Sequence, residues 1–117
     1  LDEGSAMARG FAVSGGVAAA VVEAAKHIAP DAEIKVQYAD GLRECRKMLA
    51  IAKTGKFNGY LLEGMACPGG CVAGAGTIRP VKESAKNVEN FMKEATEVST
   101  TVSPFLDRLE EVEERDV

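Results

Sequence analysis

Two of the chain's three cysteines lie four positions apart, in a segment with few bulky side chains. Residues 63–76 are Glu-Gly-Met-Ala-Cys-Pro-Gly-Gly-Cys-Val-Ala-Gly-Ala-Gly, which places thiols at Cys67 and Cys71 among five glycines. Thiolates are soft ligands that suit iron–sulfur clusters, zinc or copper. Glycines such as Gly69 and Gly70 let backbone N–H groups approach anionic sulfur atoms. A metal cluster is therefore one interpretation, and since four ligands are usual, it requires further ligands from elsewhere.

The spacing by itself leaves three other interpretations open. The segment could be a glycine-rich connection with two incidental cysteines, because short motifs are weak evidence. It could be a redox dithiol, although that chemistry usually has two intervening residues rather than three. It could be a phosphate-binding loop, but residues 74–79 place Arg79 where the dinucleotide fingerprint has glycine, and no Gly-Lys-Ser/Thr is present.

The remaining metal-ligating side chains add little to this pair. His27 is the only histidine, which excludes a multi-histidine metal site in this chain and leaves little basis for a Cys-His or Ser-His relay. Cys45 lies on the apolar stripe of a predicted helix, and free cysteine is among the most buried residue types. We therefore assign Cys45 to the core rather than to the metal site.

Hydrophobic periodicity predicts the elements that position the loop. A short apolar run predicts a first strand at 11–14, and an alternating pattern predicts a second at 34–39. Helices are predicted at 17–28 and from Leu42 to about Thr54, the latter capped by Asp40. A third strand at 60–62 leads directly into the cysteine loop.

After the loop, Pro80 begins a predicted helix, and Ser103-Pro104 begins a last one. The order β-α-β-α-β-loop-α-α predicts an α/β fold, a small and mainly parallel sheet with helices packed on its faces. Ligands in such folds bind beyond the carboxyl ends of the strands. The loop from Gly64 to Ile78 leaves the third strand at that edge, so its position also favours a binding site.

Composition limits the class of protein. The 117 residues predict a single domain over 1–117, with 46% hydrophobic residues and no apolar run near the ~18 needed to span a bilayer. Residues 107–117 hold six acidic side chains against two arginines, and the rest of the chain balances at twelve against twelve. A neutral body with an acidic end lacks the basic stripe of a nucleic-acid-binding protein.

Cysteine usage and the chain's first residues indicate the cellular setting. Three cysteines cannot all pair within one chain, and no signal peptide is visible, so we expect a cytoplasmic protein with reduced thiols. The sequence begins with Leu1 rather than methionine. We expect it to be part of a longer protein.

The string Met-Ala-Cys-Pro-Gly-Gly-Cys at 65–71, followed by Gly74 and Gly76, is much more specific than its spacing. It resembles the last cysteine motif of the iron-only (di-iron) hydrogenases, in the C-terminal domain of the large subunit. The resemblance extends outward to Phe-Ala-Val-Ser-Gly-Gly-Val at 11–17 and to residues 41–49 and 58–63. It covers roughly residues 9–95.

The resemblance implies an active site in which a 4Fe-4S cubane is joined by one cysteine sulfur to a di-iron unit carrying carbon monoxide, cyanide and a bridging dithiolate. This H-cluster interconverts dihydrogen with protons and electrons. Cys67 would be a cubane ligand and Cys71 the bridging ligand, with Met65 packed beside the di-iron unit. Gly69 and Gly70 would form the backbone around the cluster.

The same resemblance implies what must come from outside these residues. The family's other two cubane ligands and its proton-relay cysteine lie upstream, so the fragment alone is expected to be inactive and at best a weak iron binder. Expected partners are the N-terminal part of the same chain, ferredoxin or a similar electron carrier, and cluster-maturation proteins. Residues 73–78 differ from the family's usual glycine run, as in divergent branches. A non-catalytic iron–sulfur sensor or assembly protein is therefore the alternative function.

Overall fold

The computed structural model describes residues 3–106, and these form an α/β fold. The α/β class predicted from the sequence is confirmed, with helices packed against a small parallel sheet. In chain order the elements are α1 (Ala6–Arg9), α2 (Gly16–Ile28), β1 (Lys35–Asp40), α3 (Leu42–Ala52), β2 (Tyr60–Met65) and α4 (Val81–Lys93). Short 3-10 helices lie at Gly10–Ala12, Cys71–Ala73 and Thr100–Val102.

The sheet consists of β1 and β2, which run parallel and are joined through α3. The pairing runs from Lys35 opposite Tyr60 to Asp40 opposite Met65, so both strands end at the same edge. A parallel pair requires a crossover connection, and α3 supplies it as predicted. Whatever follows β2 therefore begins beside the end of β1.

The helices α2 and α3 cover opposite faces of this sheet. On one face, the Tyr38 ring lies against Gly15, at the start of α2. On the other face, Gly64 has no side chain because a Cβ there would lie 3.0 Å from the Sγ of Cys45, on α3. Successive residues of a strand point to opposite faces, which is why neighbouring positions meet different helices.

The strand predicted at 11–14 is wrong. The chain there forms the 3-10 helix Gly10–Ala12 and a turn, with Val13 N–H donating to the Gly10 carbonyl at 3.1 Å. These local hydrogen bonds occupy backbone groups that a strand would offer to a neighbouring strand. The turn is so tight that only glycine fits at position 16, because a Cβ there would lie 2.0 Å from the Gly10 carbonyl oxygen.

Other predicted boundaries agree within a few residues. The helix predicted at 17–28 begins at Gly16, and the helix from Leu42 ends at Ala52. The strand predicted at 60–62 is longer and continues to Met65. The body of the helix predicted from Ser103-Pro104, and the acidic end at 107–117, lie outside the described residues.

The predicted cap of α3 is also wrong. Gly41 occupies the N-cap position, with no side-chain hydrogen bond to the helix, and the carboxylate of Asp40 bonds elsewhere. Gly41 adopts φ of +98°, a conformation that glycine reaches without steric strain. Its N–H donates to the Met65 carbonyl at 2.7 Å and ties the start of α3 to the end of β2.

The buried apolar residues are mostly small. Among residues 3–106, the hydrophobic side chains classed as buried are Ala18, Ala20, Ala39, Met48 and Val72. Cys45, which was assigned to the core from the sequence, is only half-buried: it lies over the sheet, with its Sγ 3.6 Å from the Met65 carbonyl oxygen. On α3 the buried face is formed by Met48, whereas the predicted stripe residues Leu42 and Leu49 are 72% and 58% exposed.

The α4 helix presents a charged outer face, and none of its side chains is fully buried. Lys93 donates to Glu89 at 2.9 Å, and this hydrogen bond and charge lower the pKa of the exposed Glu89 carboxyl. At the start of the helix, Arg79 pairs with Glu83. Within residues 3–106, no helix is both long and apolar enough to cross a membrane.

A buried carboxylate joins α2 to the sheet. Glu63 is only 7% exposed, and its Oε2 accepts from Gly15 N–H at 2.6 Å while its Oε1 accepts from Ala18 N–H at 2.9 Å. The first N–H groups of a helix have no partner within the helix, and the helix dipole favours a negative charge there. Glu63 therefore caps α2 from a strand that is 48 positions away along the chain.

We expect Glu63→Gln to lower the free energy of unfolding by about 1–3 kcal/mol, because the amide keeps one acceptor and places an NH₂ group against a backbone donor. Glu33→Gln is the matched control, since Glu33 is exposed and its substitution removes the same charge. Urea unfolding of the full-length protein, with hydrogen exchange of the α2 amides, measures the difference. Equal stability of the two variants would contradict the capping role.

Candidate functional site

The two cysteines of the candidate site lie on consecutive tight turns directly after β2. Gly70 N–H donates to the Cys67 carbonyl at 2.9 Å, which closes a four-residue turn. Pro68 at the second position and Gly69, with φ of +100°, at the third are the signature of a type II turn. Cys71 then begins the 3-10 helix Cys71–Ala73. The Cys-Pro-Gly-Gly-Cys segment therefore has a defined backbone.

The peptide groups of Gly69 are held on two sides. Its N–H donates to both carboxylate oxygens of Asp40, with N···O distances of 3.0 and 3.1 Å. Its carbonyl accepts from Ser14 N–H at 3.1 Å. The middle residue between the two cysteines is thereby attached to the end of β1 and to the turn that precedes α2.

Gly70 lies directly against the backbone of that turn. A Cβ on Gly70 would lie 2.6 Å from Ser14 N and 2.7 Å from the Ala12 carbonyl oxygen, and Gly70 has φ of +92°. A Cβ on Gly69 would lie 2.9 Å from Val81 Cγ1. The glycines therefore make room for other parts of the chain.

The prediction that Gly69 and Gly70 surround a cluster stays a prediction. Their N–H groups are donated within the chain, that of Gly69 to Asp40 and that of Gly70 to Cys67. The sequence interpretation gave these glycines the role of admitting N–H groups to sulfur. The structure shows a different use, which is close packing of one backbone segment on another.

Neither thiol of the loop forms a disulfide bond. Cys67 is half-buried, Cys71 is exposed, and all three cysteines are free. Met65 is half-buried at the end of β2. Across residues 3–106, no cluster of three or more histidine, cysteine or acidic side chains has metal-binding geometry. The chemistry of the two thiols fits an iron–sulfur group as part of its ligand set, and the described residues do not complete that set.

From the sequence, neither Cys45 nor His27 is predicted to be part of this site. Cys45 is on the α3 face of the sheet, near the carbonyl oxygens of Ala39 and Met65. His27 is in the last turn of α2, as the sequence predicted, and its ring nitrogen is 3.0 Å from a Glu23 carboxylate oxygen. Within residues 3–106, neither residue forms a metal-binding group of three or more ligating side chains with the two loop cysteines.

Two carboxylates near the loop were missed by the sequence interpretation. Asp40 was assigned to helix capping, and Glu63 was treated only as the first residue of the motif. A signal existed for Glu63, because a charged residue within an apolar strand that is covered by a helix must find hydrogen-bond partners. No local signal indicates that Asp40 would turn toward Gly69, 29 positions later.

Fold and site together define an α/β domain with a cysteine loop at the carboxyl edge of a parallel sheet. Residues 1–75 match the family model described as the iron-only hydrogenase large subunit, C-terminal domain, and the chain belongs to this family. The match includes Cys67 and Cys71 and stops before α4, so it covers less of the C-terminal part than the sequence resemblance did. Comparison with curated proteins finds no match.

We expect Gly70→Ala to destabilise the loop more than Gly76→Ala. Both glycines have positive φ, +92° and +91°, which L side chains rarely adopt, and each substitution strains the backbone by roughly 1–3 kcal/mol. With its ψ of −163°, Gly70 lies in a region that is essentially restricted to glycine. Only Gly70 has backbone atoms within 3 Å of the added methyl group, whereas Gly76 faces open space. Overpacking should add about 1–3 kcal/mol for Gly70→Ala.

Urea unfolding of the full-length protein, together with alkylation rates of Cys67 and Cys71, measures this difference. Gly70→Ala should lower the unfolding midpoint further and expose Cys67 to the reagent. Equal midpoints and equal alkylation rates in the two variants would show that the loop does not pack on residues 12–14 as described.

Proposed function

We propose that this domain supplies Cys67 and Cys71 as ligands to the iron site of an iron-only hydrogenase, which in full-length form interconverts dihydrogen with protons and electrons. The observation that carries the proposal is the cysteine loop, held by hydrogen bonds at the carboxyl edge of the sheet in a chain of this family. Ligands that are ordered in advance bind a metal group without the entropic cost of ordering them.

The different exposure of the two thiols supports different roles. Cys67 is half-buried and suits a ligand of the 4Fe-4S cubane, whereas Cys71 is exposed and suits a sulfur shared between the cubane and the di-iron unit. Met65, half-buried at the end of β2, would pack beside the di-iron unit. When bound, the H-cluster would supply the redox and hydride chemistry, and this chain would hold it through Cys67 and Cys71.

The ligand count supports a contribution from the rest of the hydrogenase chain. Four-cysteine ligation is usual for a cubane, and among residues 3–106 no group of three or more histidine, cysteine or acidic side chains could hold a metal ion. We propose that the remaining ligands come from the N-terminal part of the same protein, and that the isolated domain does not turn over hydrogen. We further propose that ferredoxin or a similar carrier exchanges electrons with the hydrogenase and that maturation proteins assemble its cluster. A reducing cytoplasm would keep the cysteines as thiols.

A hydrogenase-like sensor or assembly protein that does not turn over hydrogen is the second candidate function. It is favoured by the sequence just after Cys71, where residues 73–78 depart from the family's usual glycine run and the family match ends at residue 75. The distinction can be measured as hydrogen evolution with a reduced carrier. A protein that holds the di-iron unit but shows no turnover would support the sensor function.

The test is anaerobic expression of the full-length protein with the cluster-maturation proteins, followed by iron counting and infrared spectroscopy. We expect metal-carbonyl bands in the unmutated protein, loss of these bands in Cys71→Ala, and loss of cubane iron in Cys67→Ala. Cys45→Ala is the matched control, because it removes a thiol that lies outside the loop, and it should keep both signals. An unmutated protein without iron or carbonyl bands would refute the proposed ligation.

A further inference from the structure

The side chain of Asp40 forms a hydrogen bond to the cysteine loop, although Asp40 is not itself one of the proposed ligands. It is the last residue of β1, it is exposed, and it does not cap α3, where Gly41 takes the N-cap position. Both of its carboxylate oxygens instead lie within 3.1 Å of the Gly69 nitrogen. Hydrogen bonds to an ionised acceptor are stronger than those between neutral groups.

The bonded partner is the midpoint of the candidate site. Gly69 lies two residues after Cys67 and two residues before Cys71, and a rotation of its peptide groups would move both cysteines. Its carbonyl accepts from the backbone N–H of Ser14, which every substitution of Ser14 except proline would keep. The N–H of Gly69, by contrast, is held by a side chain, the carboxylate of Asp40.

We propose that Asp40 is a positioning residue for the iron site: it holds Gly69 so that Cys67 and Cys71 are presented in ligating geometry before any cluster is bound. The inference rests on the proposed ligand role of the two cysteines. The new element is that a side chain of β1 orders the cysteine loop.

The charge of Asp40 does not explain its location. A carboxylate beside an anionic thiolate cluster repels it, so electrostatics alone would disfavour an acidic residue here. The hydrogen bond to Gly69 supplies a geometric reason. Asp40→Asn separates the two effects, because the amide oxygen can still accept from Gly69 N–H while the charge is removed.

The first experiment uses the cluster-free full-length protein and measures hydrogen exchange at the Gly69 amide. Loss of a charge-assisted hydrogen bond should accelerate this exchange about tenfold in Asp40→Ala, whereas Asp40→Asn should keep most of the protection. Asp31→Ala is the matched control, since Asp31 is exposed and lies in a turn away from the loop. Unchanged Gly69 exchange in Asp40→Ala would overturn the proposal.

The second experiment reconstitutes the same variants anaerobically with ferrous iron and sulfide. It records bound iron, the electron paramagnetic resonance spectrum of the reduced cluster, and the rate of iron loss to a chelator. Asp40→Ala should lose iron about tenfold faster and show an altered spectrum, with an unchanged urea midpoint. Asp40→Asn and Asp31→Ala should match the unmutated protein.

The outcomes separate this proposal from the one on which it rests. Absence of bound iron in the unmutated protein, or iron retention in Cys67→Ala, would refute the ligand role. Bound iron that is equally stable in Asp40→Ala and in the unmutated protein would refute only the role of Asp40. An Asp40→Asn variant as defective as Asp40→Ala would also refute positioning through the hydrogen bond, because charge would then be the cause.

Discussion

The position of the cysteine loop depends on one buried carboxylate. Glu63 accepts hydrogen bonds from two N–H groups at the start of α2, and a buried charge is tolerated only when such partners are present. The bonds attach Gly15 to β2, and the residue before it, Ser14, donates to the Gly69 carbonyl. The cysteine loop is thus positioned by the same interaction that seats α2 on the sheet.

Close contact between backbone segments gives the loop its second support. At Gly16 and at Gly70 an added Cβ would lie less than 3 Å from backbone atoms of residues 10–14, a separation that real Cβ atoms do not show. Glycine permits such contacts, and it does so at a cost in chain entropy that ordered packing must offset. Glycine is required at position 70 because the turn before α2 lies against it, whatever the two thiols bind.

The rest of the described chain has a small core and open edges. Its sheet has only two parallel strands, whereas most sheets have about four to six. Large apolar side chains are well exposed, among them Ile28 at 86% and Ile78 at 97%. These surfaces agree with membership of a family defined as one domain of a larger subunit.

The sequence determined the elements that local periodicity encodes, the parallel crossover and the family, and it located both thiols of the candidate site. It failed at 11–14, where an apolar run forms a 3-10 helix, and at Asp40, whose carboxylate bonds to the loop instead of a helix. Periodicity reports which face of a segment is apolar, and it carries no information about partners far along the chain. The contacts of Asp40 and Glu63 span 29 and 48 positions, so only the tertiary structure decided them.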